Sequence, residues 1–401
     1  MYNVKKLSDT LYWIGGNDRR LALFENVYPI PQGVSYNSYL ALGEETVLFD
    51  TVDHAASGVF LENIAHLLNG RKLDYVVVNH MEPDHCATLA DVILRYPEVK
   101  VIANAKTVGM IKQFFDFDID SRAVLVKEGD TLTIGGHTYA FVMAPMVHWP
   151  EVMVTFDTTD GVLFSADAFG TFGAVGGSIF AEDVNFAEKY LDEARRYYTN
   201  IVGKYGPQVM ALLKKAAGLD IKMICPLHGW VLRGELIGWF IGKYQQWATY
   251  TPEEKGVLIV YGSVYGGTEN AAEILAGMLA ERGVKNTEIY DASVTHPSYL
   301  VAKAFQYSHI VFAAATYNAG IFTPVETLLT DLAAHSMQGR TVGLIQNGSW
   351  APMSGKQMSG VVGGMKNMTV LEPVATIRST VSEKMLEELS ALADAIAASL
   401  A

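Results

Sequence analysis

Val76-Val77-Val78-Asn79-His80-Met81-Glu82-Pro83-Asp84-His85 is an apolar, β-branched run that stops abruptly at four side chains able to bind a metal. The valines read as a buried strand, and His80, Glu82, Asp84 and His85 follow within a stretch of six residues. Pro83 cannot donate into a β-ladder and drives its neighbour out of the α region, so the four residues are expected on a stiff loop that aims alternate side chains at two adjacent points. The plainer reading is a polar loop whose histidines cap a helix or satisfy backbone groups. An H-x-E-x-D-H set is denser in ligands than such a loop needs, and this argues for metal.

The pattern resembles the H-x-H-x-D-H signature of the metallo-β-lactamase fold, with Glu82 standing where the hydrolases carry histidine. A hard anionic oxygen in place of an imidazole moves the set from typical zinc ligands towards the His/carboxylate sets of non-haem iron.

Three further candidates each end an apolar run. His148 follows Ala140-Phe141-Val142-Met143-Ala144-Pro145, Asp167 follows Val162-Leu163-Phe164-Ser165-Ala166, and His228 follows Met223-Ile224-Cys225-Pro226. Singly, each reads as a polar residue at the edge of a core; their recurrence at one structural place argues for ligands on a common rim. Seven ligands suit two metals: His80, Glu82 and His148 on one, Asp84, His85 and His228 on the other, with Asp167 as bridge. Open positions then remain for a substrate, between ions about 3.5–4 Å apart. Val34 to Leu40 and Thr46 to Asp50 read as strands; Asp50, at the end of the second, could be catalytic but is read as an anchor for a neighbouring loop. Trp149-Pro150 and Phe169 either keep the site dry or are plain core, and the Tyr197-Tyr198 pair reads as amphipathic packing unless a hydroxyl reaches the metals.

The chain has 401 residues, half of them hydrophobic and 18% charged, which suits two domains with ample cores. No apolar window approaches membrane-spanning length and no signal-peptide run follows Met1, so a cytoplasmic protein is expected. Cys86 and Cys225 have no CxxC spacing and are expected to be reduced. Residues 252–401 carry 9 Lys+Arg against 14 Asp+Glu, and the residues before them 21 against 29. An acidic surface without basic blocks argues against nucleic acid and anionic membranes as partners.

Alternating strands with hairpin signals at Gly135-Gly136 and Thr159-Asp160-Gly161, flanked by helices, imply a sandwich over residues 1–250. Helices are expected over 56–68, 89–96, 186–198, 208–219 and 236–250. After the polar break at 251–256 the texture changes to an α/β unit, residues 255–401. Its opening strand, Val257 to Gly262, leads into Ser263, Val264, Tyr265, Gly266, Gly267 and Thr268, and then into a helix over 269–282. A helix N-terminus with hydroxyls beside it is an anion cradle. It lacks both G-K-[ST] and G-x-G-x-x-G. The loop resembles the S/T-x-T-G-x-T phosphate loop of flavodoxins, with Tyr265 in place of the third-position threonine. Two further strands end in Thr316, Tyr317, Asn318, Ala319 and Gly320, and in Asn347, Gly348, Ser349 and Trp350. At the carboxyl ends of a doubly wound parallel sheet these are ligand-binding positions, and Tyr317 and Trp350 suit a flat flavin ring.

A metallo-β-lactamase-like αββα sandwich bearing H-x-E-x-D-H, followed by a flavodoxin-like doubly wound sheet, resembles the flavodiiron proteins over the whole chain. Every ligand of that family has a match here: His80, Glu82, Asp84, His85, His148, Asp167 and His228. The resemblance implies two Fe and one FMN per chain, and reduction of dioxygen to water, of nitric oxide to nitrous oxide, or both. With no C-terminal CxxC segments, it implies the two-domain class, supplied by rubredoxin or a reduced deazaflavin. It also implies a head-to-tail homodimer, possibly a dimer of dimers. The alternative is a dinuclear zinc hydrolase fused to a flavodoxin module; Glu82 and the flavin-type domain argue against it.

Overall fold

The structure is a computed structural model that describes residues 2–400. Two compact units are present: the chain up to Tyr198 together with Tyr205–Gln245, and Thr199–Lys204 together with the chain from Gln246 onward.

In the first unit two sheets pack face to face. One orders its strands Lys5–Lys6, Leu11–Trp13, Tyr39–Leu42, Thr46–Phe49, Tyr75–Val77, Lys100–Ala103 and Ala123–Leu125; the other runs from Thr131–Ile134 through His137–Met143, Met153–Asp157, Val162–Phe164 and Met223–Cys225 to Leu232–Arg233. Strand periodicity sends Tyr139, Phe141 and Phe164 inward, and Phe164 stacks on Phe49 of the facing sheet with ring centroids 3.6 Å apart. Helices such as Ser57–Leu68, Gly206–Ala216 and Glu235–Ala248 complete this αββα sandwich. His137–Met143 and Val162–Phe164 are both antiparallel to Met153–Asp157, and Met223–Cys225 is parallel to Val162–Phe164. Three carboxyl ends therefore share one edge. In the facing sheet Thr46–Phe49 and Tyr75–Val77 are likewise parallel.

In the second unit all the main strands are parallel, in the order Thr287–Asp291, Glu254–Gly262, Tyr307–Tyr317, Thr341–Asn347, Thr369–Val370, with Ala375–Ile377 continuing the last position beside Thr341–Asn347. This is the flavodoxin-type order, whose switch point lies between the first strand and the third. Helices Gly267–Glu281 and Glu383–Leu400 bury Leu275, Leu279, Leu389 and Leu392 against one face of the sheet. Arg340 is buried as well: its guanidinium donates to the carbonyls of Tyr250, Ala304, Phe305 and Gln338, and burial pushes it down to about 10.

The expected helix over 186–198 is broken into Phe186–Lys189 and Leu191–Tyr197, and that over 208–219 begins two residues earlier, at Gly206, with Pro207 in its first turn. Among the described residues no helix is long and apolar enough to cross a membrane.

Candidate metal centre and anion cradle

Strand Tyr75–Val77 delivers the ligand stretch, but only part of it is loop. Glu82 is extended, as the residue before proline must be, whereas Pro83–Cys86 forms a single helical turn with Pro83 in its first position. Asp84 and His85 therefore project from a helix start. Asp50 fixes the stretch from behind: its buried carboxylate accepts from Asn79 N at 2.7 Å, Asn79 Nδ2 at 2.8 Å and His80 N at 3.2 Å. Burial pushes Asp50 up to about 6 against those hydrogen bonds. Thr51 adds a hydroxyl bond to His85 O.

Of the seven expected metal residues, the other six gather around Asp167, and its two oxygens divide them. Oδ2 lies 3.1 Å from His80 Nε2 and 3.2 Å from His148 Nε2, and both rings face Glu82 Oε2, at 3.2 and 3.0 Å. Oδ1 lies 3.1 Å from His85 Nε2 and 3.7 Å from His228 Nε2, with Asp84 Oδ2 at 3.3 and 3.2 Å from the same two atoms. The donor atoms of each half, His80/Glu82/His148/Asp167 and Asp84/His85/His228, lie within 4.8 Å of one another.

Buried polar atoms normally find hydrogen-bond partners. Here Asp84 Oδ1 and Oδ2, His85 Nε2, Asp167 Oδ1 and His228 Nε2 find none. An inward-facing group of carboxylate oxygens and imidazole nitrogens left in this state fits metal ligation. The electrostatics agree: burial would raise Asp167, yet the imidazoles of His85 and His80 hold it well below the usual carboxylate range. Burial lowers His148, and its hydrogen bonds to Asp167 and Glu82 more than reverse that, to about 9. Cations among these groups replace protons as the compensating charge.

The sequence reading missed the groups that orient these histidines. His80 Nδ1 lies 2.8 Å from Glu151 Oε1, which also accepts from Met81 N at 2.9 Å, and both side chains are fully buried. His228 Nδ1 donates to Ser35 O at 2.7 Å, and Ser35 Oγ accepts from Gly229 N. These are the outer partners that set the tautomer of a ligating imidazole. For Glu151 the available signal is an acidic residue directly after His148-Trp149-Pro150. The stretch Val34 to Leu40, expected as one strand, splits into Val34–Tyr36 and Tyr39–Leu42, and Asn37 between them donates to Pro226 O and Gly229 O to hold the His228 loop.

Trp149 packs edge-on to His80 with centroids 5.4 Å apart, so it shields the ligands. Phe169 packs on Tyr244, centroids 4.5 Å apart, and its N–H donates to the Tyr244 hydroxyl. Tyr197 lies against His228, centroids 5.5 Å apart, whereas Tyr198 packs on Tyr244. The Tyr197 hydroxyl is buried without a partner. Gly170 permits that approach, since a Cβ there would meet the Tyr197 ring at 2.8 Å. In the turn between Leu23–Phe24 and Tyr28–Pro29, Glu25 is raised by desolvation first and by the Glu82 charge second.

In the second unit the expected cradle residues surround the carboxyl ends of the first, third and fourth strands. Gly266 (φ +87) caps the helix Gly267–Glu281, Ser263 Oγ accepts from Gly266 N at 3.0 Å, and Thr268 Oγ1 accepts from Asn347 Nδ2 at 3.2 Å. Both hydroxyls accept within the protein, so their protons are available to an anion. A Cβ on Gly267 would stand 1.9 Å from Ser379 O, so only glycine fits. Asn318 and Ala319, both at positive φ, form the two-residue turn that pairs Tyr317 with Gly320. Thr316 Oγ1 accepts from Met353 N and Ser354 N, while Ser349 and Ser379 share a hydrogen bond. Gly348 lies against Pro352. Val264 and Tyr317 are half-exposed, and Tyr265 and Trp350 stand out at 99% and 89% exposure, unpacked aromatics beside a cradle that fits a phosphate carrying a flat ring. The Ser379 segment is a fourth wall that the sequence reading did not include.

Fold and site together define a metalloprotein with a fused flavodoxin-like unit. The profile of the ODP family beta lactamase matches residues 34–229. The chain is 30% identical to the anaerobic nitric oxide reductase flavorubredoxin of Aeromonas hydrophila over 350 residues, 86% of this chain and 70% of that one. It is 28% identical over 407 residues to the rubredoxin-oxygen oxidoreductase of Megalodesulfovibrio gigas, covering 98% of each. The solved rubredoxin oxygen:oxidoreductase of Desulfovibrio gigas superposes with a TM-score of 0.91 at 28% identity, over 99% of this chain and 98% of that one. The chain belongs to the flavodiiron protein family.

Proposed function

We propose that this protein is a flavodiiron oxidoreductase that reduces dioxygen to water, nitric oxide to nitrous oxide, or both, with two Fe in the sandwich domain (residues 1–250) and FMN in the flavodoxin-like domain (255–401). The observation that carries the reading is the division of seven ligands into two halves by the two oxygens of Asp167. His80, Glu82 and His148 would hold one ion and Asp84, His85 and His228 the other, with Asp167 shared between the two halves. The 263–268 loop would hold the FMN phosphate, and the 316–320 and 347–350 loops would contribute to the same site. When bound, these groups supply the redox chemistry: four electrons and four protons convert O2 to two waters, and two electrons and two protons convert two NO to N2O and one water.

The chain's own residues bind and orient. Glu151 and Ser35 hold His80 and His228 in the tautomer that offers Nε2 inward. Trp149 keeps bulk water from His80, and Asp50 fixes the main chain of Asn79 and His80. The zinc-hydrolase alternative shares the fold but not the carboxylate at position 82, and the relatives named above are O2 and NO reductases by name. Elemental and flavin analysis of active protein made in iron-replete medium tests the reading: two Fe and one FMN per chain are expected, and stoichiometric zinc with negligible iron would refute it.

Electrons come from rubredoxin or a reduced deazaflavin, in the cytoplasm, where the buried free Cys86 and Cys225 stay reduced. The active unit is a head-to-tail homodimer, in which one chain's FMN serves the partner's metals. Five residues separate helix Glu235–Ala248 from strand Glu254–Gly262, and the short connection supports this reading. Mixed dimers pairing a His80→Ala/Asp167→Ala chain with a Ser263→Ala/Thr268→Ala chain should recover about half of the wild-type turnover. Verified mixed dimers that carry FMN only on the metal-dead chain and do not turn over would reject the crossed arrangement.

A further inference from the structure

The outer face of the second sheet of the sandwich is incompletely covered. Its inward alternates Phe141 and Phe164 fill the core, while the outward set, Val142, Val154 and Leu163, faces helix Gly206–Ala216 where that helix ends in the small side chains Ala216 and Ala217. Short side chains on both sides leave a cleft of about 180 Å³. Its lining passes from exposed Ala217 and Gln245 to buried Ser165 and Phe169.

We infer that this cleft is a binding site for a small apolar molecule, of the class of the diatomic gases reduced at the metal centre, and that it supplies them to the centre from behind the Asp167 loop. The inference rests on the function proposed above. Three observations carry it. First, the floor of the cleft is built by the loop that carries the shared ligand: Ser165 and Phe169 line it, and Asp167 lies between them in sequence. Second, the floor offers water little. Ser165 Oγ already donates to Ala168 O at 2.7 Å, and the other polar lining residue, Gln245, lies at the exposed end. A bound water needs two to four polar partners, whereas an engineered cavity of about 150 Å³ lined by Leu, Ile and Phe in another protein stays dry and takes up xenon or benzene. Third, the floor is fixed. The Phe169 N–H donates to the Tyr244 hydroxyl at 2.6 Å and its ring packs on Tyr244, so the space is held open by structure rather than by a mobile side chain.

Dioxygen and nitric oxide are weakly hydrated and enter such a space at little desolvation cost.

Xenon tests the site without turnover. Crystals of the holoenzyme pressurised with xenon should show it against Leu163, Leu212 and Phe169, and Ala216→Phe, which fills the cleft from the helix side, should abolish that density. The same variant should raise the KM for O2 or NO at least about threefold while kcat and metal content stay at wild-type values. If Ala216→Phe does not fold, Leu213→Trp serves the same purpose. Absence of xenon from the wild-type cleft overturns the site. Xenon bound in the wild type, together with an unchanged KM in a filled variant, overturns delivery to the centre. A wild-type holoenzyme that reduces neither gas refutes the proposed function and with it the supply role, while the xenon density still decides whether the cleft binds apolar molecules.

Discussion

Glu151→Ala should release metal without unfolding the sandwich. Glu151 Oε1 accepts from His80 Nδ1 at 2.8 Å and from Met81 N at 2.9 Å, with no solvent at either side chain. Truncation leaves two buried donors unpaired, each at a cost of about 1–3 kcal/mol, and frees the His80 ring to turn or to change tautomer. Outer partners of ligating histidines typically contribute about 10–100-fold to metal affinity, or about 1.4–2.8 kcal/mol. The loop itself should survive, because Asn104 Nδ2 bonds to the main-chain carbonyl of residue 151, at 2.6 Å. The measurement is iron retained against a graded chelator, read beside thermal unfolding of the metal-free protein. Glu151→Gln, which keeps an acceptor and loses the charge, should fall between wild type and alanine. Wild-type retention in Glu151→Ala, or a glutamine variant no better than alanine, would refute the assignment of His80 orientation to this carboxylate.

Glu82→His should lower iron occupancy and turnover while FMN stays bound; iron content and activity at wild-type levels would show that the carboxylate at 82 does not select the metal. Replacing Ser263 and Thr268 together by alanine should weaken FMN binding by about 1.5–3 kcal/mol for each charge-assisted bond lost, read as flavin released on dilution. Gly267→Ala forces the main chain away from Ser379 O, 1.9 Å from the added carbon, and should reduce flavin content even though no hydrogen-bonding group is removed. Removing the metal should lower the thermal midpoint by mass action, with metal added back restoring it.

The proposed metal residues were legible because His80, His148, Asp167 and His228 each follow an apolar run, and strand ends are what a sheet gathers onto one rim. Asp50 was legible for the same reason, and its bonds to Asn79 and His80 are those of the expected loop anchor. The helical turn Pro83–Cys86 was not, since four residues cannot display a 3.6-residue period and Pro83 reads equally as a loop or as the first position of a helix. Glu151, Ser35 and the Ser379 segment were hidden because their roles depend on partners 71, 193 and 32 residues away in sequence. No local pattern encodes such separations. The continuous helix expected over 186–198 failed because amphipathic spacing alone does not mark the irregular residue Tyr190 that separates its two parts.

The charge inventory explains why Glu82 matters beyond donor preference. In the proposed centre two divalent ions would bring four positive charges into a buried volume, and Glu82, Asp84 and Asp167 would return three negative ones. Glu151, hydrogen-bonded to His80 and held below the usual range by that contact against burial, supplies the fourth. The set is then near neutral, which a low-dielectric site requires. Histidine at position 82 leaves one positive charge uncompensated in the reduced state, and the deficit grows with each electron withdrawn. The carboxylate at 82 therefore eases oxidation of the pair, and Glu151 belongs to the same electrostatic unit although it touches no metal. Loss of either charge should move the midpoint potential of the centre upward, and loss of both should move it by less than the sum if the imidazole of His80 transmits part of the effect of Glu151. Equal potentials in Glu151→Gln and wild-type protein would confine that carboxylate to orientation alone.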